Sequence, residues 1–222
     1  MAAAEALCPA SSDTVLDLCA APGGKSTQLS DMLTEGTLVA NEIHPARARV
    51  LSANLERMGC FNAIVTCASP EKLASLWPET FDAILVDAPC SGEGMFRKNP
   101  DAVREWQPAS PEGCAARQKT ILECAAGMLK PGGRLAVLEF AVPENPLWRT
   151  LYLFYFKHAM RLGGRLVGSG DAYDYLVDSV LAFPRYGALC REFEAAGFTD
   201  VRYDSYSGGI AVCYSATIPT RS

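Results

Sequence analysis

Thr14-Val-Leu-Asp-Leu-Cys-Ala-Ala-Pro-Gly-Gly-Lys25 is an apolar run that breaks into a turn of small residues, and helical spacing begins directly after it. A strand that feeds a helix through glycines lets main-chain amides approach a ligand closely. They do so at a helix end whose partial positive charge favours a carboxylate or phosphate. The same turn can also serve as a bare strand-to-helix corner, so its surroundings decide the reading. Thr14 to Cys19 is predicted as the first strand, Gly24 to Leu33 as a helix and Thr37 to Asn41 as the second strand. A helix over Pro45 to Met58 follows, with Ala48, Leu51, Leu55 and Met58 on one face and Pro45 suited to its first turn. Ile64 to Cys67 is the third strand, and Phe81 to Val86 is apolar enough to be buried on both faces.

Further along, Ile121, Ala125 and Leu129 fall on one stripe of a helix from Pro111 to Leu129, which Pro131-Gly132-Gly133 ends. Arg134 to Phe140 is the fifth strand. Leu147 to Met160 is aromatic-rich with helical period, and Ser169 to Leu181 reads as a covering segment, where a lid is expected. Leu189, Phe193 and Ala196 mark a helix that stops at Gly197, and Val201 to Tyr206 pairs with Ile210 to Tyr214 across Gly208-Gly209. Strands alternating with helices and ending in a hairpin imply an α/β, Rossmann-like architecture. The expected sheet has seven strands, mostly parallel with an antiparallel last strand, in one domain spanning residues 1–222.

Composition narrows the function. The chain has 222 residues and a formal charge of −5, and acidic residues outnumber basic ones on both sides of residue 137, so a strong freestanding nucleic-acid binder is disfavoured. Arg97, Lys98, Arg104, Arg117 and Lys119 make only a modest basic stretch, read as solvated surface. Nine cysteines without a Cys-x-x-Cys pair suggest reduced thiols and a cytoplasmic setting. Two distant histidines give no metal spacing, and no metal is expected. No run has the length of a transmembrane segment, and a soluble protein is expected.

Glu42, at the end of the second strand, stands near the offset at which an acid commonly holds a ribose diol. A P-loop would need glycine where Cys19 stands, and the dinucleotide Gly-x-Gly-x-x-Gly spacing is absent. Adenosylmethionine is the better ligand, which makes the fold expectation a class I S-adenosylmethionine-dependent methyltransferase.

The motifs DLCAAPGGKSTQLS, NEIHPARARVLSANLERMG, ILVDAPCSGEGMFRKNP and LKPGGRLA carry a resemblance over residues 1–137 to RNA cytosine-5 methyltransferases of the NOL1/NOP2/Sun family. The resemblance implies that Cys19, Ala20, Ala21, Pro22, Gly23, Gly24 and Lys25 cradle the methionine part of the cofactor. It further implies that Glu42 holds the ribose with Arg47 beside it, and that Asp87 lies next to cofactor and target base. Ser69 stands where many relatives have an adenine-contacting acid. Carbon 5 of cytosine becomes nucleophilic only after a thiolate adds to carbon 6. Cys90 matches the one of the family's two cysteines that is associated with product release; because DNA cytosine methyltransferases use a Pro-Cys nucleophile, it is also, with Asp87, the catalytic candidate here. The Thr-Cys pair expected after the fifth strand is replaced here by Val137-Leu-Glu-Phe-Ala-Val.

From Leu138 onward, VLEF, LYLFYF, DAYDYLVDSVLAFP, LCREFEAAGF and GGIAVCY resemble the quinone-ring C-methyltransferases of menaquinone and ubiquinone biosynthesis. In that family these segments shape a hydrophobic acceptor pocket. The resemblance puts Tyr173, Tyr175 and Ser179 near such a pocket and offers His158 or Asp171 for deprotonation. About a dozen residues precede Thr14, so the covering helices both families place there are expected to be missing. Two likenesses that meet at the fifth strand suggest a chimera of a cofactor-binding half, 1–137, and a half with an acceptor lid, 138–222. The methyl acceptor is then either RNA or a quinol, and a folded scaffold without turnover stands as the third reading.

Overall fold

The computed structural model describes residues 2–87, 110–155 and 186–220. Its elements in chain order are α1 (Ala2–Leu7), β1 (Thr14–Asp17), α2 (Gly24–Met32), β2 (Thr37–Asn41), α3 (Pro45–Arg57), β3 (Ala63–Thr66), α4 (Pro70–Leu76) and β4 (Phe81–Val86). They continue with α5 (Ser110–Met128), β5 (Leu129–Phe140), α6 (Pro146–Phe154), α7 (Gly187–Ala195), β6 (Thr199–Tyr206) and β7 (Ala211–Thr217).

The strands form one seven-stranded sheet in the order β3-β2-β1-β4-β5-β7-β6. The first five pair in parallel, and β7 runs antiparallel to both β5 and β6. The expected class I methyltransferase sheet is therefore present. Its strand order reverses between β1 and β4, and in open α/β sheets ligands bind outside the carboxyl ends of the strands at such a point.

Side chains alternate between the two faces along each strand, and this alternation builds the core. Leu16, Ile84, Val86, Leu135, Val137, Val212 and Tyr214 pack with Leu73 of α4, Ile121 and Ala125 of α5 and Phe193 of α7. The intervening residues Val15, Leu38, Ala83, Leu85, Ala136 and Cys213 pack with Ala3, Ala4 and Leu7 of α1, with Leu29 of α2 and with Leu33 just after it. A third cluster joins Ala20 and Ala40 to Leu51 and Leu55 of α3. The short helix α1 thus packs on the sheet ahead of β1. Arg134 fastens it from β5 by donating to the Cys8 carbonyl at 2.7 Å and by an ion pair with Asp13.

Several boundaries differ from expectation for local reasons. The first strand ends at Asp17 rather than Cys19, because the chain turns to form the small-residue loop. Pro131-Gly132-Gly133 does not separate helix from strand. Pairing with β4 jumps from Leu129 to Arg134, and the intervening turn is held by Gly132 N donating to the Ile218 carbonyl and Ile218 N to that of Gly133, each at 2.9 Å. Helix α4 was not anticipated, although Ser69-Pro70-Glu71 supplies a cap, a proline in the first turn and an acid near the helix N-terminus. The aromatic helix is seen from Pro146 to Phe154 and is capped by Asn145, whose side chain accepts from Leu147 N and Trp148 N. The proposed lid at 169–181 lies outside the described residues.

Candidate functional site

The turn between β1 and α2 is fixed by its own backbone. Ala20 N donates to the Asn41 carbonyl at 2.8 Å, and Gly23 N to that of Ala20 at 2.8 Å. Gly23 caps α2 with φ +107°, and a Cβ there would stand 3.0 Å from the buried Leu51 Cδ1. The left-handed backbone and the close packing each call for glycine. At Gly24, by contrast, a Cβ would meet nothing within 4 Å among the described residues. The helix end is therefore uncovered by the described residues, with first-turn amides that have no partner within the helix.

Charged side chains converge on this turn from three strands. Lys25 Nζ lies 2.5 Å from Asp87 Oδ2, which joins the start of α2 to the end of β4. Glu42, 3% exposed, accepts from His44 N at 3.0 Å and pairs with Arg47 at 3.2 Å. Arg47 also donates to the Ala21 carbonyl at 3.1 Å, so Glu42 is tied to the turn from the β2 side. Asp17 is buried at the end of β1, where Ser26 Oγ donates to its Oδ2 at 2.7 Å and its Oδ1 has no partner among the described residues. Burial pushes its carboxyl up to about 6, against the pull of the Ser26 bond and of Lys25. Cys19 sits among these acids. Burial first, then the charges of Asp17, Glu42 and Asp87, push its thiol up to about 12, which favours the protonated thiol over the thiolate.

Three carboxylates thus face two bases around a turn with open amides and one orphaned buried acceptor. A ligand that joins a carboxylate to cationic ammonium and sulfonium groups and carries a ribose suits this arrangement. Its carboxylate matches the helix end, its cations the excess acid, and its diol Glu42.

Most of the cofactor residues expected from sequence are brought together: Cys19 through Lys25, Glu42, Arg47 and Asp87 share one sheet edge. Ser69 stands at the start of α4, where its hydroxyl accepts from Lys72 N at 3.3 Å and caps the helix. Cys90 lies outside the described residues, as do His158, Asp171, Tyr173, Tyr175 and Ser179. Sequence reasoning passed over Asn41 and the Asp17–Ser26 pair. A lone polar residue closing an otherwise apolar strand was the available signal for Asn41.

A family model described as 16S rRNA methyltransferase RsmB/F matches residues 4–141. The chain belongs to that family. A second model, described as the ubiE/COQ5 methyltransferase family, matches residues 114–218 and overlaps the first across α5 and β5. Among curated relatives, the ribosomal RNA small subunit methyltransferase F of Escherichia coli (strain K12) is 47% identical over 122 residues, covering 54% of this chain and 26% of that protein. The protein of the same name from Shigella sonnei (strain Ss046) gives the same figures. The chain therefore spans about a quarter of the length of these relatives.

Of solved structures, NSun6 from Pyrococcus horikoshii with SFG aligns with TM-score 0.63 at 19% identity, over 99% of this chain and 51% of that one. A methyltransferase homolog protein from the same organism aligns with TM-score 0.56 at 21% identity, over 97% and 65%. The fold is that of class I S-adenosylmethionine-dependent methyltransferases, and S-adenosylmethionine is the cofactor that goes with it. Among the described residues no helix is long and apolar enough to cross a membrane, and no group of three or more His, Cys, Asp or Glu is placed to hold a metal.

Proposed function

We propose that residues 1–222 act as one methyltransferase domain that binds S-adenosylmethionine at the β1, β2 and β4 carboxyl edge and methylates a ring carbon of RNA cytosine. The observation that carries this reading is the 2.5 Å Lys25–Asp87 pair. It sets the acid of the Asp87-Ala-Pro-Cys90 motif directly against the turn that receives the methionine end. When bound, the cofactor supplies an electrophilic methyl on a sulfonium. The chain's own residues do the rest: the Gly24 and Lys25 amides hold the carboxylate, Glu42 the ribose, and Asp87 orients the base. Cys90 is the candidate thiolate for addition to carbon 6, which makes carbon 5 nucleophilic.

Calorimetry with S-adenosylhomocysteine tests the cofactor half. Binding should weaken by about ten- to a hundred-fold in Glu42→Gln, the size expected for losing hydrogen bonds to a charge. No heat from the wild type would end the reading. Covalent capture of an RNA bearing 5-fluorocytosine, abolished in Cys90→Ala, tests the acceptor half. Full methyl transfer in Cys90→Ala would contradict it.

A second reading, methylation of a quinol ring carbon, is favoured by the ubiE/COQ5 match over residues 114–218. There the phenolate activates its own ring and no thiolate is required, so transfer to a demethylquinol by Cys90→Ala would select it. Under either reading we take the chain to be a chimera of two methyltransferase halves sharing one fold. A folded protein that binds S-adenosylhomocysteine yet methylates neither acceptor would leave the scaffold reading.

A further inference from the structure

Asn41, the last residue of β2, is 1% exposed, and both ends of its side-chain amide are hydrogen-bonded. Its Nδ2 donates to the Leu18 carbonyl at 3.2 Å and the Ala68 carbonyl at 3.1 Å. Its Oδ1 accepts from Thr66 Oγ1 at 2.9 Å and Ala68 N at 3.2 Å. Its own carbonyl accepts from Ala20 N at 2.8 Å, and the next residue, Glu42, donates its N–H to the Thr66 carbonyl at 3.1 Å. One side chain therefore fastens the base of the small-residue turn to the corner between β3 and α4, with Glu42 fixed between them.

These are the three walls a nucleoside would meet. No other uncharged side chain of the same size can serve here, because the position needs two donors on one side and an acceptor on the other. Aspartate would set carboxylate oxygens against two carbonyls, and alanine would leave buried groups unpaired.

We propose that Asn41 is the positioning residue of the adenosyl site: it sets the separation between turn, ribose acid and β3–α4 corner, and controls cofactor affinity through Glu42 without touching the ligand. The inference rests on the reading of this cleft as the S-adenosylmethionine site.

Titration calorimetry with S-adenosylhomocysteine tests it in the wild type, Asn41→Ala, Asn41→Asp, Glu42→Gln and the Asn41→Ala/Glu42→Gln double variant. Leu38→Ala, a core change on the same strand, reports on destabilisation alone. With folding checked by circular dichroism, both Asn41 variants should lose about ten-fold or more in affinity. The double variant should lose clearly less than the product of the single losses, because one residue acts through the other. Leu38→Ala should bind like the wild type.

Asn41→Ala affinity within about two-fold of the wild type, or losses that simply multiply, would reduce Asn41 to a structural residue and overturn the proposal. If neither Asn41 variant folds, Thr66→Val removes one of the four bonds and should still weaken binding by about three-fold, and unchanged affinity there overturns it too. A wild type that gives no heat overturns the cleft assignment itself, which separates that failure from a failure confined to Asn41.

Discussion

Replacing Asp17 by asparagine isolates the cost of a buried charge. Asp17 is 1% exposed, has one oxygen bonded to Ser26 and one without a partner among the described residues, and its carboxyl is raised from 3.8 to about 6 chiefly by burial. A carboxyl raised in the folded state binds its proton more tightly folded than unfolded. The stability this contributes is complete below about pH 4, falls as pH rises through about 6, and is flat above that. A displacement of this size corresponds to roughly 3 kcal/mol lost by the wild type across that window.

Asp17→Asn has no charge to bury, so its stability relative to the wild type should improve by roughly 3 kcal/mol between about pH 4 and pH 7. Its amide nitrogen faces the spot where Oδ1 has no partner, which adds a constant offset of about 1–3 kcal/mol independent of pH. Urea unfolding followed by circular dichroism at several pH values separates the two effects, and subtracting the two proteins cancels the other carboxylates. A difference that stays constant from about pH 4 to pH 7 would refute the account of Asp17 as a charge buried without full compensation.

Gly23→Ala should cost about 2 kcal/mol, from left-handed backbone and contact with Leu51, and should weaken S-adenosylhomocysteine binding in the same preparation. Thermal unfolding should show this as a drop of about 4–8 °C. Tyr186→Phe removes hydroxyl bonds to the carbonyls of Val142 at 2.9 Å and Gly209 at 3.2 Å, and should lower stability by about 1–2 kcal/mol with cofactor affinity unchanged. Asn145→Ala should cost about 1 kcal/mol through loss of the α6 cap, read from the denaturant midpoint. Gly208→Ala should be worse, since its Cβ would fall 2.6 Å from Trp148 Nε1 on a backbone at φ +70°, and a melting temperature equal to the wild type's would count against the packing described.

The parts of the fold legible in sequence were those where one physical signal dominates. Strands β2 and β4 begin and end where expected, because continuous apolar runs flanked by polar residues admit few alternatives. Helix α4 is not legible in sequence because its seven residues, Pro70–Leu76, are too few to display a helical stripe, although Ser69 caps it. Strand β5 begins earlier than its glycines suggest because residues beyond β7 return to pair with them, a contact across some eighty residues that no local pattern encodes. In the site, the turn and Glu42 were readable from residue types and offset. The closure of Lys25 on Asp87 and the four bonds of Asn41 depend on sheet order, which brings distant strand ends side by side.

Strand β5 bonds to β4 on one edge and to β7 on the other. It lies in both the region like rRNA methyltransferases and the region like ubiE/COQ5 proteins, so the two are joined through backbone amides and carbonyls, with no spacer to cut. Residues 1–137 made alone would present a bare strand edge to solvent, an invitation to self-association. The matching hairpin supplied as a separate peptide is the natural plug for it, so the two segments should be recoverable as a soluble pair where either one by itself precipitates.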